Sequence, residues 1–253
     1  MYNNSRMVGR YYEQFPIDIS KGLSNYSLTL LEQALEFISR PDGSSPYFLY
    51  FAPDSTHGPT YASAKFRRRS ARDSSYGDAV MELDWSVGQI LELLRSKAGE
   101  AARRDTLVVF TSDNGAALVS RDRAGSNGPL LCGKQTTFEG GMRTPTVAWW
   151  ASGRARGISQ LAATHLDLLP SLAELAGAEL PASLELDGQS LASVLRGGRQ
   201  PAVERPVFFY RGNTLYAVRL EQYKVENIPL PPTSSQSELV RLISGPGPLQ
   251  WRS

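Results

Sequence analysis

The sequence predicts an α/β fold built on a mainly parallel sheet with flanking helices. Three observations predict it. In residues 106–111, Thr-Leu-Val-Val-Phe-Thr, five of six positions are β-branched or aromatic, and the chain then turns polar at Ser112-Asp113-Asn114-Gly115. That pattern is a buried strand ending in a turn. Residues 46–52, Pro-Tyr-Phe-Leu-Tyr-Phe-Ala, repeat the arrangement and end in Asp54-Ser-Thr-His-Gly-Pro59. Between the two, Val80, Leu83, Val87, Ile90, Leu91 and Leu94 fall at helical spacing over residues 76–95. Strand, helix, strand is a βαβ unit with a right-handed crossover. Its two polar turns, at His57 and Asp113, would share one edge of the sheet.

The remaining elements follow in order. Residues 26–40 place Leu28, Leu31, Leu35 and Ile38 on one helical face, closed by Pro41-Asp42-Gly43. Residues 65–72 carry Lys65, Arg67, Arg68, Arg69 and Arg72. They read as a solvated loop or, alternatively, as a contact for a polyanion. A charged loop, 97–105, leads into the strand at 106. After a polar loop at 121–127 comes Cys132-Gly-Lys-Gln-Thr-Thr-Phe-Glu-Gly-Gly-Met-Arg143, whose glycines and threonines argue against regular structure. Residues 144–150 predict a third strand, with Pro145 at its start. Residues 165–176 predict a helix with Leu166, Leu169, Leu172, Leu175 and Ala176 inward, Pro170 in its first turn or at a kink, and Gly177 as C-cap. A short turn and helix at 186–195 precede a strand at 206–211 in a smaller C-terminal unit. From Val225 the pattern dissolves into a proline-, serine- and glycine-rich tail, expected to be poorly ordered. No internal repeat is present.

Length and composition bound the function. With 253 residues the chain can bury a full core, as one large domain or one plus a small appendage. A net charge of +2 is too small to argue for nucleic acid. No apolar run reaches the length of a membrane span, and the first residues lack the apolar stretch of a signal peptide. The one cysteine, Cys132, excludes an internal disulfide and a multi-cysteine metal site, and reads as a small packed residue. Asn25-Tyr26-Ser27 and Asn3-Asn4-Ser5 fit the N-glycosylation pattern, which matters in a secreted or lysosomal protein.

Candidate chemistry sits at the strand ends, because ligands of open α/β sheets bind outside the carboxyl ends of the strands. Asp113 and Asn114 offer a carboxylate and an amide carbonyl, two hard oxygens suited to Ca²⁺ or Mg²⁺. The plainer alternative is a turn that merely ends a strand. Lys134 in the glycine-rich loop is a point charge able to bind an oxyanion if that loop reaches the same edge.

These motifs resemble the sulfatase family, most nearly its N-acetylgalactosamine-6-sulfatase branch. The likeness is carried in order by Met7-Val-Gly-Arg-Tyr-Tyr-Glu-Gln-Phe-Pro16, Ser55-Thr-His-Gly-Pro-Thr-Tyr-Ala-Ser63, Tyr76-Gly-Asp-Ala-Val80, Phe110-Thr-Ser-Asp-Asn-Gly-Ala-Ala117, Ser126-Asn-Gly-Pro129 and the 132–143 loop. The resemblance implies an alkaline-phosphatase-like sheet, present in part over residues 1–200. It also implies a fragment of a small C-terminal α+β unit over 201–253, with a disordered tail from about residue 226. It implies that Asp113 and Asn114 ligate Ca²⁺, that His57 lies by the leaving-group oxygen, and that Lys134 holds the sulfate oxygens. The implied reaction is hydrolysis of 6-sulfate from galactose or N-acetylgalactosamine units of sulfated glycosaminoglycans (keratan sulfate, chondroitin 6-sulfate) in the lysosome. It implies a glycoprotein with Asn25 as acceptor and no nucleic-acid or membrane partner, and it allows a homodimer of the complete enzyme.

The departures carry equal weight. The family's formylglycine nucleophile arises in a Cys-x-Pro-Ser-Arg motif, which this sequence lacks. The paired aspartates of the calcium site, the arginine after the nucleophile and a second Lys/His pair are also missing. The chain is therefore expected to be a C-terminal portion of a sulfatase, inactive by itself. A phosphoryl hydrolase on the same fold is a rival reading. A non-catalytic fragment or polyanion-binding remnant, with Arg67, Arg68 and Arg69 as the contact, is another.

Overall fold

The computed structural model describes residues 2–3, 6–7, 23–40, 46–96, 106–150, 155–198, 205–220 and 222–226. It divides into two compact units, Met1–Val108 with Gly115–Pro129, and Val109–Asn114 with Leu130–Ser253. The predicted loop at 97–105 and the tail beyond Glu226 lie outside the described residues.

In the first unit a short antiparallel pair, β1 (Tyr2–Asn3) and β2 (Arg6–Met7), precedes two helices, α1 (Tyr26–Ile38) and α2 (Ser75–Ser96), which pack together. Both helices lie where the periodicity predicts them. Helix α1 buries Ser27, Leu31 and Ala34; of the predicted face only Leu31 is buried, and Leu28, Leu35 and Ile38 are half-buried. Helix α2 departs from the prediction. Its buried residues are Asp78, Ala79, Glu82, Ser86 and Leu94, while Val80 is exposed. The reason is hydrogen bonding. Asp78 and Glu82 turn inward to accept backbone N–H groups of the preceding loop, at Arg68, Arg69 and Ser70 and at Ser63 respectively. A buried donor left unmatched would be costlier than a displaced valine.

The predicted strand at 46–52 is not formed. Its backbone has no ladder partner among the described residues, and Phe48 and Tyr50 are 73% and 81% exposed. Without a neighbouring strand to meet its N–H and C=O groups the segment runs as irregular chain. The expected βαβ pairing is therefore absent among the described residues.

Strand β3 (Leu107–Thr111) is where it was predicted and pairs with β4 (Thr146–Trp150). Both are only partly covered, with Phe110 and Val147 exposed, so β3 is not the fully buried strand its composition suggests. In the second unit the glycine-rich stretch does hold one turn of helix, α3 (Glu139–Met142), contrary to the expectation of irregular chain. Gly140 and Gly141 make it fit. A Cβ at Gly140 would stand 2.1 Å from the Cys132 carbonyl oxygen, and one at Gly141 2.3 Å from that of Thr136. A 3-10 turn (His165–Asp167) opens α4 (Leu168–Ala176), with Pro170 in the first helical turn and Gly177 closing it at φ +67. Leu166 and Leu169 are exposed rather than inward. Ser171 takes the buried position because its hydroxyl donates to the Asp167 carbonyl and accepts the Leu191 N–H.

The second unit ends in α5 (Ala192–Leu195) and an antiparallel meander of β5 (Val207–Arg211), β6 (Thr214–Leu220) and β7 (Tyr223–Glu226). A two-residue turn with Gly212 at φ +57 joins β5 to β6. Ala217 and Val218, in the middle of β6, are fully buried.

Candidate active site

His57 belongs to the first unit. Its turn is tied at several points: the His57 N–H donates to the Asp54 carbonyl at 2.8 Å, and the Ser55 hydroxyl shares a 3.1 Å hydrogen bond with Ser27 in the first turn of α1. The Tyr61 hydroxyl donates to Asp54 Oδ2. Burial, and then the Asp54 charge, pushes the nearby Tyr26 hydroxyl above its ordinary pKa. The ring of His57 is exposed, and its Nδ1 lies 2.7 Å from the Gly58 carbonyl oxygen. A carbonyl only accepts, so Nδ1 carries a proton. Nε2 is thereby left as the atom that can meet a substrate. It acts as an acid when the ring is imidazolium and as an acceptor when the ring is neutral. Asn25, the predicted glycan acceptor, is exposed at the start of α1, and Ser27 of its tripeptide is buried against Ser55.

Asp113, Asn114 and Lys134 belong to the second unit. Asp113 follows β3, is exposed, and has no ion-pair partner among the described residues. Asn114 is half-buried, and its carbonyl accepts the Ser112 hydroxyl at 2.8 Å. At the end of β3 the Thr111 hydroxyl donates to the Pro145 carbonyl at 3.1 Å and lies 3.3 Å from His165 Nε2. In the sequence His165 marks only the start of a predicted helix, and no local motif ties it to β3.

Lys134 is half-buried, with no ion-pair partner among the described residues. Its loop is closed locally by the Thr136 N–H and hydroxyl on the Gly133 carbonyl and by the Gly140 N–H on the Leu131 carbonyl. Its other ties come from the meander. Arg219 Nη2 lies 2.6 Å from Glu139 Oε2, and Lys224 Nζ lies 3.2 Å from Glu139 Oε1. Lys224 also donates to the Thr137 carbonyl, lies 3.1 Å from Glu226, and sits over the Phe209 ring at 4.1 Å. The Thr137 hydroxyl donates to Glu226 Oε2 at 2.6 Å. Burial would raise the Glu139 carboxyl, but the hydrogen bond and charge of Arg219, then those of Lys224, hold it below the usual carboxylate range. None of these anchors was singled out from sequence. The only available signal was that Glu139 lies inside the long motif.

Beside the lysine loop lies a cleft of about 640 Å³. Gln135, Thr136, Thr137 and Phe138 line it from the loop, and Tyr210, Arg211 and Tyr216 from the meander. Elsewhere in the unit, Asp167 is buried in a bidentate pair with Arg205 at 2.7 and 2.9 Å. Burial would raise its carboxyl, but the Arg205 hydrogen bond, the Gln189 and Thr164 N–H groups and the Arg205 charge hold it low. This pair is structural: it joins the start of α4 to residues 187–189 and 205.

The donors after β3 are of the right kind for a hard divalent cation, a carboxylate and an amide oxygen, but they are too few. Among the described residues no three His, Cys, Asp or Glu side chains cluster as a metal site, whereas Ca²⁺ takes six to eight oxygens. Asp113 and Asn114 fit as members of a ligand set and do not fit as a whole one.

Comparison with known proteins gives the family. The sulfatase family matches residues 2–178. The chain is 50% identical to N-acetylgalactosamine-6-sulfatase of Sus scrofa over 229 residues, which is 88% of this chain and 42% of that protein. It is 48% identical to the Homo sapiens enzyme of that name, with the same coverage, and 42% identical to human arylsulfatase A over 71% of this chain and 35% of that protein. The chain thus spans well under half the length of these curated relatives. Among solved structures, PsFucS1 sulfatase from Pseudoalteromonas sp. superposes with a TM-score of 0.69 at 25% identity, over 83% of this chain and 42% of that one. The fold is the alkaline-phosphatase-like one of the sulfatases, present in part. With most of the chain matched in order, and the lysine loop inside that match, the chain belongs to the sulfatase family.

Proposed function

We propose that the protein to which this sequence belongs is a sulfuric-ester hydrolase that removes 6-sulfate from galactose or N-acetylgalactosamine units of glycosaminoglycans. The observation that carries the reading is the 132–143 loop: a half-buried lysine without an acidic partner among the described residues, on a backbone clamped from both sides. Such a lysine is a fixed positive charge, suited to the oxygens of a sulfate group. His57 fits the part of proton donor through Nε2, because the departing alkoxide needs a proton as the S–O bond breaks. Asp113 and Asn114 would contribute two oxygens to a Ca²⁺ that polarises the sulfate. In the same reading residues 1–200 belong to the catalytic domain and 201–253 to a small C-terminal subdomain, Asn25 carries a glycan, and the protein works in the lysosome.

The sequence contains no Cys-x-Pro-Ser-Arg, so this chain assayed by itself should release no sulfate. The full-length gene product should release it from a 6-sulfated galactoside. A faster release of phosphate from the matching phosphate ester would favour a phosphoryl hydrolase and overturn the assignment.

A further inference from the structure

We propose that residues 65–72 form a docking surface for a sulfated polysaccharide, separate in its chemistry from the hydrolytic residues. The segment is a basic loop built to hold its shape. Phe66 is buried and packs on Trp85 with ring centroids 5.4 Å apart. Lys65 Nζ sits 3.5 Å from the centre of the Trp85 ring. The buried Asp78 carboxylate accepts three consecutive backbone N–H groups, those of Arg68, Arg69 and Ser70, at 2.7 to 3.0 Å. The Ser70 hydroxyl donates to the Ser74 carbonyl, closing the loop onto the start of α2.

The backbone donors are thus satisfied from beneath, and Arg68 takes a positive φ of 56 to allow it. What remains is cationic and unmatched. Arg68, Arg69 and Arg72 are exposed, and Asp73 is the single acidic residue in 65–73. Among the described residues none of Lys65, Arg67, Arg68, Arg69 and Arg72 has a carboxylate at ion-pair distance. The Arg67 side chain is half-buried, and its Nε is enclosed with no hydrogen-bond acceptor among the described residues.

A fixed backbone lowers the ordering cost of binding. Planar guanidinium groups match the oxygens of sulfate with paired hydrogen bonds. Several cations within eight residues call for a polymer with repeated charges rather than a single anion. The choice of a sulfated polysaccharide over another polyanion rests on the hydrolase reading. The surface itself does not.

The test uses the chain as it stands, with chondroitin 6-sulfate and heparin as immobilised probes. The chain should bind both, with affinity falling as salt rises because bound counterions are released. Replacing Arg67, Arg68 and Arg69 together by alanine should weaken binding roughly tenfold or more and flatten the salt dependence. A smaller variant, Arg68→Glu with Arg69→Glu, changes only exposed side chains and should do the same with the thermal midpoint unmoved. Arg196→Ala, at an exposed Glu174 pair, should leave binding intact. Three results would overturn the proposal: no binding to either probe, binding within twofold of the parent in both loop variants, or equal competition by single-stranded RNA of matched charge. Failure of the hydrolase reading has a different signature. The full-length product would release no sulfate while loop-dependent binding persisted.

Discussion

The lysine loop at 132–143 and the arginine loop at 65–72 both carry cations on irregular backbone, and they are held in opposite ways. Asp78, eight to ten residues from its partners, pins the arginine loop from below. The lysine loop is gripped from a distance, by groups 85 to 89 residues further on in the case of Lys224 and Glu226. The first loop needs only the start of its own helix. The second adds to its local closure the ties from the C-terminal meander to Thr137 and Glu139. Local clamps suit a surface that reads charge, whereas a residue that must meet one group of one substrate is built into the tertiary structure.

The largest expected effect comes from cutting the distant grip. Glu139→Ala leaves Arg219 and the nearly buried Lys224 without their shared carboxylate, and should cost about 2 kcal/mol, read as a shift in urea midpoint. Hydrogen exchange should rise across 132–143 and leave 65–72 protected. Asp78→Asn should cost about 1.5 kcal/mol, because a neutral amide cannot replace three charge-assisted bonds. Its exchange pattern should be the mirror image. If either variant loosened both loops equally, the two would not be held independently.

Acid offers the same comparison without mutation. Burial would raise the Asp78 carboxyl, but the hydrogen bonds from Ser70, Arg68 and Arg69 hold it low, and Glu139 is held low by Arg219 and Lys224. A carboxyl depressed on folding stabilises fully above its unfolded pKa, and that stabilisation is lost as pH falls through the folded value. Stability should therefore fall as pH drops below about 4, the ordinary carboxylate range, and Glu139→Gln and Asp78→Asn should each flatten part of that loss. Thr137→Val, which removes one hydroxyl bond to Glu226, should cost about 1 kcal/mol. Smallest of all, Arg68→Ala should change stability by less than about 0.5 kcal/mol, since its side chain is exposed.

Much of this was legible in the sequence, and the limits have physical causes. Both long helices follow from apolar periodicity, and β3 and β4 from short runs of β-branched and aromatic residues, because both are local properties. The strand at 46–52 was misread because a strand is made by its neighbour, and the composition of Tyr47 to Phe51 says nothing of whether one is there. The inward face of α2 was misread because Asp78 and Glu82 count as polar in any hydropathy pattern, although their carboxylates are buried as acceptors for a neighbouring loop. Asp113, Asn114, His57 and Lys134 were nominated by residue type and resemblance. The residues that hold the lysine loop, Glu139, Arg219, Lys224 and Glu226, were invisible because ion pairs across 80 or more positions leave no local trace.

The most direct test of the central claim, that the clamped loop presents Lys134 to a sulfate group, is the rate of sulfate release from a 6-sulfated galactoside by the full-length gene product carrying Lys134→Ala. Loss of one preorganised donor to a developing anion lowers turnover by about a hundredfold or more. A drop of that size is expected, with the thermal midpoint within about a degree or two of the parent. Undiminished sulfate release by a folded Lys134→Ala protein would contradict it.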